Sequence, residues 1–321
     1  MNSQNTIPSC PAYKDILSAA ARIAPHAHVT PVLQSASLDE LVGAELFFKC
    51  ENFQRAGAFK FRGACNAVWS LSEQTAVNGV VTHSSGNHGA ALALAAKTRN
   101  IPAYVVVPEG ANRAKLKAIE QAGGKLSFCE NTMQARDDAA EKIRHETGAA
   151  LVHPFTNTDV IAGQGTAALE CLHQISKLDF MIAPVGGGGL ISGTAIAIAG
   201  KAKSCRLIGA EPAGAADAYA SLQANKRITD IVSDTLCDGL RATVGEINLH
   251  IMQQQRVEIF TVSDEETVAA MRLIWERMKI LVEPSCATVL AAAIKHKEQF
   301  KNRRIGLIIT GGNVDLSALP W

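Results

Sequence analysis

None of the eight cysteines stands in a CxxC pair, and most sit singly among apolar residues. They read as small core residues in a reducing compartment, not as a disulfide framework or a zinc site. Charge of neither sign dominates. Lys and Arg number 31 against 30 Asp and Glu, and the net charge of +1 gives no electrostatic ground for binding nucleic acid or an acidic membrane. The densest basic cluster is Lys295, Lys297, Lys301, Arg303 and Arg304, broken by Glu298 and Phe300. It reads as a solvated helix end. Residues 1–11 carry no apolar h-region, so no secretion signal is expected. Residues 180–200 lack charge but contain Pro184 and four consecutive glycines, which suit strand, loop and helix better than a membrane span. Also missing are a Pro/Ser-rich linker, an internal repeat, a low-complexity tract and the GxxxxGK[ST] phosphate loop. A soluble cytoplasmic protein is the expectation.

What is present is apolar content of 47% over 321 residues, enough for one large domain or two modest ones. Short apolar runs alternate with amphipathic stretches. Strands are expected at residues 79–82, 103–107, 125–129, 151–153, 180–184, 206–210 and 304–309. Helices are expected at 89–99, 114–122, 136–147, 162–176, 190–200, 265–281 and 286–297. This alternation predicts an α/β fold with parallel sheets flanked by helices on both faces. Residues 78–154 form a compact small domain in this reading. Residues 1–77 and 155–321 then pair into a larger one. Ligands of such sheets sit on loops at the carboxyl ends of strands.

Four such loops stand out. In residues 51–64, ENFQRAGAFKFRGA, Lys60 lies between Phe59 and Phe61 after the flexible Gly57. A desolvated lysine has a lowered pKa and a free amine able to attack a carbonyl. Taken alone it reads better as a surface lysine on a helix with Arg62, because most lysines are solvated. In residues 81–90, VTHSSGNHGA, the groups of Ser84, Ser85 and Asn87 join Gly86 and Gly89 at a helix start, where N–H groups bind a carboxylate or phosphate. Simple N-capping needs only one such residue. In residues 184–193, PVGGGGLISG, the run Gly186, Gly187, Gly188 and Gly189 suits a backbone nest around phosphate better than a flexible linker between apolar elements. In TGGNVD, Thr310 places a neutral hydroxyl at a strand end, though Gly311, Gly312 and Asn313 also make an ordinary turn. A rival reading takes Gly187, Gly189 and Ser192 as a dinucleotide fingerprint with Glu211 ending the next strand. Its third glycine is missing, and it leaves Lys60 and the Ser-Ser-Gly-Asn-His loop without a role.

All four loops, in this order, resemble those of the fold-type II pyridoxal-phosphate (PLP) enzymes, and the chain is similar to their serine/threonine dehydratase and serine racemase group over nearly its whole length. The resemblance implies a tryptophan synthase β-like fold of two domains with twisted sheets, the smaller one mobile, assembled as a homodimer. It implies PLP as cofactor, linked to Lys60, packed on Phe59, hydrogen-bonded through its 3-oxygen by Asn87, cradled by Gly186, Gly187, Gly188 and Gly189, and faced at its pyridine nitrogen by Thr310. Ser84, Asn87 and His88 belong to the loop that binds the substrate carboxylate. Ser85 lies opposite the lysine and is the second acid/base in racemases. Glu211, the carbonyl of Ala215 and Asp217 match the family's site for Mg²⁺ (or Ca²⁺ or Mn²⁺). From spacing alone the two carboxylates are solvated surface charge.

The expected reaction is β-elimination of a small hydroxy amino acid, such as serine or threonine, to a 2-oxo acid and ammonia. Alternatives are serine racemisation, 3-hydroxyaspartate as the substrate, or a nucleotide-binding protein without covalent cofactor. 3-Hydroxyaspartate needs a cation for its second carboxylate. Arg136 is the candidate, and it is equally an exposed helix arginine beside Asp137 and Asp138. The chain ends at Trp321, without room for the regulatory C-terminal domain of biosynthetic threonine dehydratases, so isoleucine feedback is not expected. Ala58 stands where the family often has Ser or Thr, and His153-Pro154-Phe155 looks more like threonine dehydratases than animal serine racemases.

Overall fold

The computed structural model describes residues 9–321; most of the stretch read above for a leader lies outside them. Ten strands are formed: β1 (Val32–Leu33), β2 (Glu45–Cys50), β3 (Val80–His83), β4 (Ala103–Pro108), β5 (Gly124–Cys129), β6 (Ala150–Leu151), β7 (Phe180–Pro184), β8 (Arg206–Pro212), β9 (Glu258–Val262) and β10 (Arg304–Ile309). They make a six-stranded sheet in the order β1-β2-β10-β7-β8-β9 and a four-stranded sheet in the order β5-β4-β3-β6. Every pairing is parallel except that of β1 with β2. Chain segments from both sides of the small sheet thus build the large one, through the β2–β10 pairing that sets Ile309 beside Cys50.

Helices cover the faces, as buried parallel sheets require. One apolar layer packs the Thr158–Gln174 and Gly189–Lys201 helices on the large sheet. A second packs the Asp264–Met278 and Pro284–Lys295 helices on its other face. A third joins the Lys60–Ser70 and Asn87–Thr98 helices to the small sheet. All eight cysteines are free; Cys10 and Cys129 are partly exposed and the other six are buried. Among the described residues no helix is long and apolar enough to cross a membrane.

Each strand expected from the apolar runs is present. The short β1, β2 and β9 were not expected. Charged Glu45 and Lys49 mask the apolar run of β2, and β9 opens on Glu258 and is interrupted by Thr261. Lys49 is nevertheless fully buried, because its amine meets Glu170 at 2.5 Å. The stretch 51–64 is also not one loop. Two 3-10 turns lead to a helix that begins at Lys60. Gly57, at φ +68°, makes the turn that precedes it, and a side chain there would collide with Asn313.

Candidate active site

The loops at the carboxyl ends of β3, β7 and β10 converge with the turn before Lys60. That turn is stitched to the end of β10. Ala58 bridges Gly311, the Phe59 N–H donates to the Thr310 carbonyl at 2.9 Å, and the Gly312 N–H donates to Gly57 at 3.0 Å. Lys60 follows at the first position of its helix. Its Nζ donates to the Pro154 carbonyl at 3.0 Å and lies 5.2 Å from the centroid of the Phe59 ring. Burial of the amine lowers the Lys60 pKa to about 8, against the negative charge of Glu283, which raises it. Roughly a tenth of the amine is therefore uncharged at pH 7, far more than for an ordinary lysine, and able to act as a nucleophile.

Two residues below Lys60, Arg62 anchors the helix in a buried charge cluster. Its Nε and Nη2 meet the two Glu51 oxygens at 2.7 and 2.8 Å, and Glu170 accepts from Nη1 and Nη2 at 3.1 and 3.0 Å. Thr30 and Lys49 complete it. Two acids offset two bases, and the fork of the guanidinium uses both carboxylates, which is what makes such burial tolerable.

The Ser-Ser-Gly-Asn-His loop leaves β3 and starts the Asn87–Thr98 helix. Ser84 Oγ accepts from the Gly86 N–H at 3.4 Å, and Gly86 faces open space. Ser85 is partly exposed. Asn87 donates to both oxygens of Glu283 and accepts from Asn313 at 2.9 Å. His88 is buried behind the loop. Its Nε2 stands 3.3 Å from the Val152 carbonyl, and its Nδ1 has no protein partner. Glu283, the N-cap residue of the Pro284–Lys295 helix, is a site residue that the sequence reading missed. A signal existed: it is the only acid before a helix without acidic residues, and Pro284 marks that helix start. Burial pushes its carboxyl pKa up, and the Asn87 hydrogen bond opposes this.

The glycine run forms a cradle. Gly188 has φ +92° and caps the Gly189–Lys201 helix. A Cβ at Gly187 would lie 2.5 Å from Phe155 ring atoms, and one at Gly186 would lie 2.8 Å from Leu240 Cα. Among the described residues none of the four glycine N–H groups donates to another backbone carbonyl outside regular elements. Unclaimed N–H groups at a helix N-terminus fit a phosphate. With a near-neutral lysine and the buried Thr310, the residues present fit PLP.

Arg136 lies on the Met133–Thr147 helix. Its Nη2 donates to Asn131 at 2.6 Å, while its Nε is buried without a partner. Its charge reaches His83, whose Nε2 is 3.3 Å from Asp137. Glu211 and Asp217 are buried, which corrects the surface-charge alternative. Glu211 accepts from the Ala218 and Tyr219 N–H groups at 2.9 and 2.8 Å, and Asp217 from Val244 at 2.7 Å. Burial and the neighbouring Asp217 raise the Glu211 pKa to about 8. Neither carboxylate has an ion-pair partner among the described residues, so the pair fits a hard cation. No group of three His, Cys, Asp or Glu side chains converges there or elsewhere among the described residues, so a cation bound there would take its further ligands from carbonyls such as Ala215 or from solvent.

A family profile described as pyridoxal-phosphate dependent enzyme matches residues 23–311. The chain is 47% identical to the beta-hydroxyaspartate dehydratase of Paracoccus denitrificans (strain Pd 1222) over 311 residues, 97% of this chain and 99% of that one. It is also 47% identical to the serine racemase of Dictyostelium discoideum over 312 residues, 95% of this chain and 96% of the other. The structure of maize serine racemase superposes with a TM-score of 0.94 at 43% identity, covering 96% of this chain and 95% of that chain. The chain belongs to the fold-type II pyridoxal-phosphate-dependent enzymes.

Proposed function

We propose that this chain is a PLP-dependent ammonia-lyase whose preferred substrate is 3-hydroxyaspartate, converted to oxaloacetate and ammonia. This departs from the serine or threonine preference expected from sequence. The observation that carries it is the buried, unpartnered Nε of Arg136, next in sequence to the Asp137 that meets His83 at 3.3 Å, a cationic donor for a second carboxylate. The resemblance to a beta-hydroxyaspartate dehydratase supports the same reading.

When bound, the cofactor supplies an electron sink for the charge left at the substrate's α-carbon. Lys60 holds it and, once its amine is released, takes the α-proton. Ser84 and the N–H groups at the start of the Asn87–Thr98 helix hold the α-carboxylate. Phe59 would pack against the cofactor ring, Asn87 would hydrogen-bond its 3-oxygen, the N–H groups of residues 186–189 would hold its phosphate, and Thr310 would offer a neutral hydroxyl to its pyridine nitrogen. The β-hydroxyl leaves as water, and hydrolysis of the released product returns one water and frees ammonia. Glu211, Asp217 and the Ala215 carbonyl would hold Mg²⁺ or a similar cation.

Serine racemisation is the second reading, because the family resemblance gives Ser85 as a second acid/base and the similarity to serine racemases is as high. The homodimer, the mobile small domain and the cytoplasmic location belong to this proposal as well. A 2-oxo-acid assay across 3-hydroxyaspartate, serine and threonine, with D-serine measured in parallel, tests it. Highest kcat/KM for 3-hydroxyaspartate is expected. Faster formation of D-serine than of any 2-oxo acid would replace it with the second reading.

A further inference from the structure

His153 sits between the end of β6 and the Phe155 ring that packs on the glycine cradle. Two backbone N–H groups converge on its Nδ1, from Phe155 at 3.4 Å and Thr156 at 3.2 Å. A ring nitrogen that accepts carries no proton, so the neutral imidazole bears its hydrogen on Nε2. The ring is clamped edge-on between His83, with centroids 5.1 Å apart, and Phe155, at 4.6 Å. Burial, followed by the charges of His83 and Lys60, pushes the His153 pKa down to about 3, so the ring stays an uncharged donor throughout the neutral range.

The position of this donor is informative. The next residue, Pro154, gives its carbonyl to Lys60 Nζ. His83, on the other side, feels the Arg136 charge. Among the described residues the Nε2–H of His153 has no protein acceptor, and, unlike His88 Nδ1, it is not sealed from solvent. A fixed tautomer with its acceptor side used and its donor side free, next in sequence to the carbonyl that holds Lys60 and packed on His83, can meet an anionic oxygen.

We propose that His153 determines specificity by donating its Nε2–H to the distal carboxylate of a dicarboxylate substrate, alongside Arg136. This rests on the 3-hydroxyaspartate reading. The competing role is structural, with His153 only capping the turn at Phe155 and Thr156. The two separate by substitution. H153N keeps a short acceptor near the Nδ1 position and loses the Nε2 donor. H153Q keeps a longer donor and loses the cap.

The test titrates the PLP-loaded wild type and both variants with succinate and with propionate, by calorimetry, and measures KM and kcat for 3-hydroxyaspartate and serine. H153N is expected to weaken succinate binding about tenfold to a hundredfold, as loss of a charge-assisted hydrogen bond does. Propionate binding and the KM for serine should stay within about twofold, and the loss for 3-hydroxyaspartate should fall on KM more than kcat. H153Q should retain part of the succinate preference. Equal losses for succinate and propionate, or no loss in H153N, would overturn the donor role. If H153N does not fold, loss of the preference in folded H153Q overturns it and retention supports it. A wild type that binds succinate no better than propionate instead refutes the dicarboxylate reading itself, an outcome visible before any variant is made.

Discussion

Asn87 and Glu283 meet face to face, the amide of one donating to both carboxylate oxygens of the other at 3.0 and 3.1 Å. The first leaves the small sheet and the second caps a helix on the large one, so the contact ties the two sheets at the site. Glu283 also raises the Lys60 pKa, against the stronger effect of burial. Removing its charge in E283Q should therefore lower that pKa below about 8. In cofactor-free protein, modification of Lys60 by trinitrobenzenesulfonate should rise with pH through that value in the wild type and at lower pH in E283Q. A shift to higher pH would contradict the assignment.

Arg62 neutralises two buried carboxylates, so R62L leaves Glu51 and Glu170 without their fork. Breaking such a pair costs about 3–5 kcal/mol, and a large loss of Tm is expected. Burial alone would raise the Glu170 pKa, but the charges and hydrogen bonds of Arg62 and Lys49 overcome it and hold the pKa below 4.5. A depressed carboxyl pKa contributes stability above its unfolded value, and that contribution disappears as pH falls through the folded one. The wild type should therefore lose more stability below pH 4.5 than R62L does, which thermal melts across pH 3–6 measure.

Gly187 admits no side chain, because its Cβ would lie 2.5 Å from the Phe155 ring. G187A should cost about 1–3 kcal/mol of stability by overpacking. It should also weaken PLP binding, since the loop must shift its N–H groups. Equilibrium dialysis with PLP and thermal melting check both effects.

R136L should raise the KM for 3-hydroxyaspartate by about tenfold or more, as expected for one charge-assisted hydrogen bond, with a smaller change for serine. Comparable loss for both substrates would assign Arg136 to the α-carboxylate instead.

Chelation addresses the carboxylate pair. If Glu211 and Asp217 hold a cation, EDTA should lower the Tm and Mg²⁺ or Ca²⁺ should restore it, whereas E211Q should melt at the same temperature with and without chelator.

The parts of this architecture legible in the sequence were those with local causes. The apolar runs of β3, β4, β7 and β10 and the glycine cradle announce themselves, because continuous burial and close backbone approach each demand particular residues. β2 did not, because Lys49 looks like a surface residue until Glu170, far along the chain, neutralises it. Glu283 escaped for the same reason: its partner Asn87 comes from the other sheet. The burial of Glu211 and Asp217 likewise arises from tertiary packing that spacing does not encode.

The most direct measurement is borohydride reduction of the PLP-saturated protein, followed by peptide mass mapping. The reduced cofactor adduct should appear on the peptide containing Lys60 and should be absent from K60A. An unmodified Lys60 in saturated protein, or an adduct at a different lysine, would contradict the account.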